Sequence, residues 1–173
     1  MTEEKAAKIK LVFLDVDGVM TDGRITMDAQ GKETKSFCVK DGLGLRMLTS
    51  GGVDVVIVTG RSSRAVEHRA HDLGIEEVHQ GVTDKSLLCR QIIKDRGFTK
   101  QEVCCIGDDL ADLPMFSEAG LCIAVADAVK EVREAADFIT RSKGGFGAVR
   151  EACEWLLKSQ GKWQAALAPF AGE

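Results

Sequence analysis

The chain has no basic block, no apolar stretch long enough to span a membrane, and no cysteine pair in C-x-x-C spacing. Each absence removes a class of function. Aspartate and glutamate (27) outnumber lysine and arginine (23), giving a formal net charge of -4 over 173 residues. The electrostatic footprint of nucleic-acid binding is therefore missing. The opening residues, Met1 to Lys8, carry acidic side chains with no long apolar stretch behind them. This is unlike a signal peptide or a membrane anchor and sets the expectation of a cytoplasmic protein. In that reducing compartment the six cysteines (Cys38, Cys89, Cys104, Cys105, Cys122, Cys153) read as small buried hydrophobes rather than disulfide partners or metal ligands. Cys104 and Cys105 are adjacent in an apolar run, so their side chains point to opposite faces of a strand. No repeat or second domain is visible, and the length suits one domain over 1–173 with a full core.

What is present centres on Lys10 to Asp22, KLVFLDVDGVMTD. Leu11-Val12-Phe13-Leu14 is too short for a helix and is bounded by charge, which predicts a strand buried on both faces in a parallel sheet. Asp15 then stands at the strand's C-terminal end, the edge where open α/β sheets bind ligands, and Gly18 lets the chain turn away. Asp15 and Asp17 repel each other unless a cation or a raised pKa neutralises one of them. Taken alone, Asp-x-Asp-Gly reads equally well as a turn. Residues further along the chain decide between the two.

Beyond this segment, strands alternate with helices. A hairpin standing off the sheet is predicted at about 22–37, where Arg24-Ile-Thr-Met and Lys32-Glu-Thr-Lys-Ser-Phe flank Asp28-Ala-Gln-Gly31. Helices are predicted at 43–50, from Ser62 or Ser63 to Gly74, from Lys85 to Gly97, at 113–119, 127–135 and 148–158. Strands are predicted at 53–58, near Val78, at 103–106, 121–124 and 138–139. Residues 159–173 are left as a mobile tail. The alternation argues for a doubly wound, mainly parallel α/β sheet sandwiched by helices. One edge of it would then gather Asp15 and Asp17, Thr59, and Asp108, Asp109 and Asp112.

In order along the chain, Asp15-Val16-Asp17-Gly18-Val19, Thr59-Gly60, Lys85, and Gly107-Asp108-Asp109 with Asp112 resemble the four signatures of the haloacid dehalogenase-like superfamily. Further text, including Lys40-Asp41-Gly42, Thr59-Gly60-Arg61, Val125-Ala126-Asp127-Ala128 and Gly144-Gly145-Phe146-Gly147, resembles its capless octulosonate 8-phosphate phosphatase branch. That resemblance implies a phosphoric monoester hydrolase of sugar-acid phosphates in lipopolysaccharide precursor synthesis. Asp15 would be the nucleophile that forms an aspartyl-phosphate, and Asp17 the general acid and base. Mg²⁺ would be held by Asp15, Asp108 and the backbone carbonyl of Asp17. Thr59, Gly60 and Lys85 would bind phosphate, Asp109 and Asp112 would orient water and Lys85, and Arg61 would hold the substrate carboxylate. The resemblance also implies a homotetramer assembled through the hairpin, in place of a cap domain. Gly144 to Gly147 is flexible enough to approach such a site, with Arg150 able to offer a cation.

Three other readings stand beside this one. A phosphatase for a nine-carbon keto-deoxy sugar acid 9-phosphate looks similar but carries an acidic residue where Arg61 stands. Asp72 occupies a position where the octulosonate branch is expected to have a small hydroxyl residue. A phospho-accepting receiver domain combines similar residues, but its phosphorylated aspartate leaves a middle strand. A catalytically silent oligomerisation module is the third, although every catalytic residue of the signatures is present.

Overall fold

The computed structural model describes residues 2–171. The first half runs α1 (Thr2–Ala6), β1 (Leu11–Leu14), β2 (Thr26–Met27), β3 (Glu33–Thr34), α2 (Val39–Ser50), β4 (Asp54–Val58), α3 (Arg64–Leu73) and β5 (Glu77–His79). The second half runs α4 (Lys85–Asp95), β6 (Val103–Gly107), α5 (Leu113–Phe116), β7 (Leu121–Ala124), α6 (Lys130–Ala135), β8 (Phe138–Ile139), α7 (Ala148–Ser159) and α8 (Trp163–Leu167). Six strands form one parallel sheet in the order β5-β4-β1-β6-β7-β8.

The doubly wound α/β expectation holds. β1 is apolar at every position because helices cover both faces of the sheet, and all four of its side chains are shut from solvent. Burying a side chain of this size contributes about 1.5–3 kcal/mol, so the central strand is the strongest local anchor of the core. On one face α2 and α7 pack together, with α1 on α7 and α3 on α2; on the other, α5 packs between α4 and α6.

Register sets the site. Leu14 pairs with Ile57 on β4 and with Ile106 on β6. The chain therefore leaves β1, β4 and β6 at nearly the same level, delivering Asp15, Thr59 and Asp108 to one edge. The strand order reverses at β1, and crevices of ligand-binding sheets form at such a switch point.

The hairpin is present off the sheet, with Thr26 opposite Thr34 and Met27 opposite Glu33. Its tip is held by the Asp28 carboxylate, which accepts from the N–H groups of Gln30 and Lys32 at 3.0 and 2.8 Å. Between β1 and β4 the described residues hold only this hairpin and α2, and between β4 and β5 only α3, so neither stretch carries an inserted cap.

The sequence expectation misses α1 and carries α5 on to Ala119, three residues past its end at Phe116; three further differences have a contact behind them. α2 begins at Val39 rather than Leu43, because Asp41 is not a turn residue: its carboxylate accepts from the N–H of Arg150 at 2.8 Å, pinning the first turn of α2 to α7. α6 begins at Lys130 rather than Asp127, whose carboxylate instead accepts from the N–H of Gly144 at 3.0 Å. Residues 159–171 are not an unstructured tail. Within them α8 docks on α2 and α7, and the ring of Trp163 lies under the Lys158 ammonium at 4.9 Å and the Arg150 guanidinium at 5.9 Å. One turn of helix is too short to show periodicity, so the packing of Trp163, Ala166 and Leu167 decides it. Residues 172 and 173 of the expected tail lie outside the described residues.

All six cysteines are free thiols, five of them buried. Burial pushes Cys89 and Cys122 up to about 12, so both thiols are inert. No helix among the described residues is long and apolar enough to cross a membrane.

Candidate active site

Asp15 leaves β1 with its N–H donating to the Ile106 carbonyl at 3.2 Å, which fixes it beside the end of β6. Lys85 is the first residue of α4, whose start is set by Asp84: the Asp84 carboxylate accepts from the N–H of Leu87 at 2.9 Å. From there the Lys85 ammonium donates to Asp15 Oδ1 at 2.7 Å and to Asp112 Oδ1 at 2.6 Å. Asp112 closes a single 3-10 turn, Leu110–Asp112, and its Oδ2 accepts from the N–H groups of Asp108 at 2.8 Å and Asp109 at 3.3 Å. Asp109 caps the same turn by accepting from the N–H of Leu110 at 2.7 Å. Thr59 leaves β4 buried, its N–H on the His79 carbonyl at 3.0 Å and its own carbonyl on the N–H of Val82 at 3.1 Å. Asp15, Asp17, Thr59, Gly60, Arg61, Lys85, Asp108, Asp109 and Asp112 all line one cleft of about 650 Å³. A second hollow, about 510 Å³ between α2 and α8, is lined by none of them.

Charge dominates this cleft. Burial, then the neighbouring charge of Asp112, pushes the Asp15 carboxyl far above the usual carboxylate range, against the pull of Lys85. Burial, then repulsion by Asp15 and Asp112, takes Asp108 up to about 8. Burial pulls Lys85 down, but attraction to Asp15 and Asp112 outweighs it and leaves the ammonium more firmly protonated than usual. One lysine does not neutralise this group of carboxylates. Asp15, Asp108 and Asp112 each present an oxygen within 4.8 Å of the others, a hard-oxygen donor set of the kind that suits Mg²⁺. Both oxygens of Asp112 are already engaged by Lys85 and the backbone, whereas Asp108 carries the unrelieved repulsion that a cation would remove.

Two close approaches hold the loop after β1. Gly18 has φ +92°, and a Cβ there would overlap the Asp108 carboxylate, so only glycine lets the loop pass the acidic cluster. Gly144 and Gly145 lie directly against Gly18 and Thr21, and the N–H of Gly145 donates to the Val19 carbonyl at 3.0 Å. The glycine-rich segment is thus a backbone buttress for the catalytic loop. Arg150 offers no cation to the cleft; its guanidinium pairs with Glu154 at 2.7 Å and packs on Trp163.

Residues 74–152 match the family model of haloacid dehalogenase-like hydrolases. Over 163 residues, 94% of this chain and 87% of the relative, the sequence is 44% identical to 3-deoxy-D-manno-octulosonate 8-phosphate phosphatase of Yersinia pestis. The chain belongs to the haloacid dehalogenase-like hydrolases. The Moraxella catarrhalis 3-deoxy-D-manno-octulosonate 8-phosphate phosphatase, crystallised with a magnesium ion, a phosphate ion and a KDO molecule, is 44% identical; it superposes with a TM-score of 0.95 over 98% of this chain and 97% of that one. A cobalt-bound form of the Haemophilus influenzae deoxy-D-mannose-octulosonate 8-phosphate phosphatase gives 0.89 at 42% identity, over 93% and 94% of the two chains.

The hydrolase also recruits two residues that sequence reasoning assigned only to the hairpin. Lys35 pairs with Asp17 Oδ1 and with Glu33 Oε1, and Glu33 Oε2 accepts from the Arg61 guanidinium. Arg61 Nε lies 3.8 Å from Asp17 Oδ2. The signal in the sequence was the alternation Glu33-Thr34-Lys35, which puts two charges on one face of a strand. Which face meets the site depends on contacts 18 and 28 residues away, and no local pattern encodes them.

Proposed function

We propose that this hydrolase is the phosphatase of 3-deoxy-D-manno-octulosonate 8-phosphate, releasing the free sugar acid and inorganic phosphate. The supporting observation is likeness to phosphatases of this substrate over nearly the whole chain, with Asp15, Lys85, Asp108 and Asp112 gathered at the switch point of the sheet. Arg61 favours the eight-carbon sugar acid over the nine-carbon one, whose phosphatases carry an acidic residue there.

In this reading Lys85 holds Asp15 Oδ1, leaving the other carboxylate oxygen to attack phosphorus. A phosphorus–oxygen bond to Asp15 forms as the bond to the sugar oxygen breaks, and Asp17 gives its proton to that oxygen. Asp17, now ionised, takes a proton from water, whose oxygen attacks the aspartyl-phosphate and frees Asp15 and phosphate. Thr59, the backbone at Gly60 and Lys85 hold the non-reacting phosphate oxygens, and Asp112 fixes Lys85 and the turn that carries Asp108. Asp15, Asp108 and the Asp17 carbonyl would hold Mg²⁺, which when bound supplies positive charge to the phosphate and the carboxylates.

The proposal extends to one domain over the chain, with the hairpin (about 22–37) as a flap over the cleft. It also extends to a homotetramer, supported by Ile25 and Met27, which stand 52% and 54% exposed on that hairpin. Six free thiols support the reducing cytoplasm as its compartment. Asp15→Asn tests the chemistry, because the amide keeps the shape but is no nucleophile. Phosphate release in magnesium should fall by at least about a thousandfold with circular dichroism unchanged. Substantial residual turnover by the purified variant would overturn the assignment of Asp15.

A further inference from the structure

The phosphoryl chemistry leaves the ion pairs beside Asp17 and Arg61 unexplained. Glu33 and Lys35 lie two residues apart on the β3 side of the hairpin and turn to the same face, over Asp17 and Arg61, while Thr34 between them faces solvent. The Lys35 side chain is 1% exposed and that of Glu33 13%, unusual for a two-stranded hairpin off the sheet. Arg61, 43% exposed at the mouth, already holds a carboxylate. That carboxylate belongs to its own chain.

We infer that Glu33 is a stand-in for the substrate carboxylate. Glu33 holds Arg61, and an incoming sugar acid exchanges with it. This rests on the reading of Arg61 as the group that binds the substrate carboxylate. The geometry makes the exchange cheap. A guanidinium accepts one carboxylate in place of another with its planar fork unchanged. Glu33 is not stranded when it lets go, because Oε1 keeps the Lys35 ammonium at 3.0 Å. That oxygen is shut from solvent and meets Lys35 without the alignment of a hydrogen bond, so the Glu33 carboxylate is incompletely satisfied while its other oxygen holds Arg61.

The two kinds of substrate meet Glu33 differently. A tethered carboxylate competes at a high effective concentration, so it raises the apparent KM of any substrate that must displace it. A phosphate ester without a carboxylate at that end displaces nothing. Glu33 therefore tunes the affinity of Arg61: only a ligand that brings its own carboxylate has to displace it, and its release leaves the Arg61 guanidinium to that ligand.

The test compares Glu33→Gln, Glu33→Asp and Arg61→Ala on octulosonate 8-phosphate and on p-nitrophenyl phosphate. Glu33→Gln keeps the shape and removes the competing charge, so KM for the sugar acid should fall about three- to tenfold with kcat unchanged. KM for the aryl phosphate should not move. Glu33→Asp, with a shorter reach, should lie between wild type and Glu33→Gln, and adding Arg61→Ala to Glu33→Gln should abolish the gain. A KM that rises, or that falls equally for both substrates, would overturn the exchange and mark Glu33 as a scaffold or a steric lid. If Arg61→Ala is selective for the sugar acid while Glu33→Gln leaves its KM unchanged, the exchange fails and the reading of Arg61 stands. Equal losses on both substrates in Arg61→Ala would remove the reading of Arg61 and the exchange with it.

Discussion

At the scale of single residues, the acidic cluster in the cleft is a balance between charge and its neutralisation. That Asp15, Asp17, Thr59, Lys85, Asp108, Asp109 and Asp112 share one cleft was legible in the sequence, because each sits within a few residues of a strand end or helix start that local pattern marks and the family resemblance joins them. Glu33 and Lys35 were not, because their roles come from contacts made across the cleft. Burial, then the charges of Asp15 and Asp112, push Asp108 up to about 8 from its ordinary 3.8. The folded state thus binds that proton more tightly than the unfolded chain does. Its contribution to stability is fully present below about pH 4 and lost as pH rises through about 8. Mg²⁺ competes with the proton for the same oxygens, so it should stabilise more at high pH. Thermal unfolding should show a larger magnesium-induced rise in Tm at pH 8.5 than at pH 6, with the chelated protein less stable at the higher pH. Equal rises at both values would contradict the crowding of the carboxylates around the cation.

At the scale of elements, the long alternation of apolar runs and capped helices was readable because each β-strand and helix carries its own period and its own stop signal. Three of the differences share a cause. Asp41 and Trp163 read locally as loop and tail and Asp127 as a helix start, and each is committed instead by a contact outside its own turn: with Arg150, with Arg150 and Lys158 of α7, and with Gly144. Docking of α8 includes the partly buried Trp163 ring, which makes two cation–π contacts with α7. Trp163→Ala should therefore destabilise the fold by about 1–3 kcal/mol, read as a lower urea midpoint, while phosphate release at saturating substrate stays near wild type. An unchanged midpoint would show that α8 does not hold α7 and α2 together.

At the scale of the whole molecule, a sheet with β1 at its centre collects residues from four separate segments at one edge, and the strands of the hairpin do not line the cleft that these segments form. A two-stranded hairpin of this size is marginal alone, and Ile25 and Met27 on it face solvent in a single chain. Light scattering should give a mass near four subunits, and charged substitutions at Ile25 and Met27 should lower it. A fully active monomer would contradict assembly through the hairpin.

The central claim is the substrate, and the most direct measurement is phosphate release by the purified wild-type chain with magnesium. It compares octulosonate 8-phosphate, a nine-carbon keto-deoxy sugar acid 9-phosphate and p-nitrophenyl phosphate. The eight-carbon substrate should give the highest kcat/KM, by about a hundredfold over the aryl phosphate and at least about tenfold over the nine-carbon acid. Preference for the nine-carbon acid, or no preference between the sugar acids and the aryl ester, would contradict it.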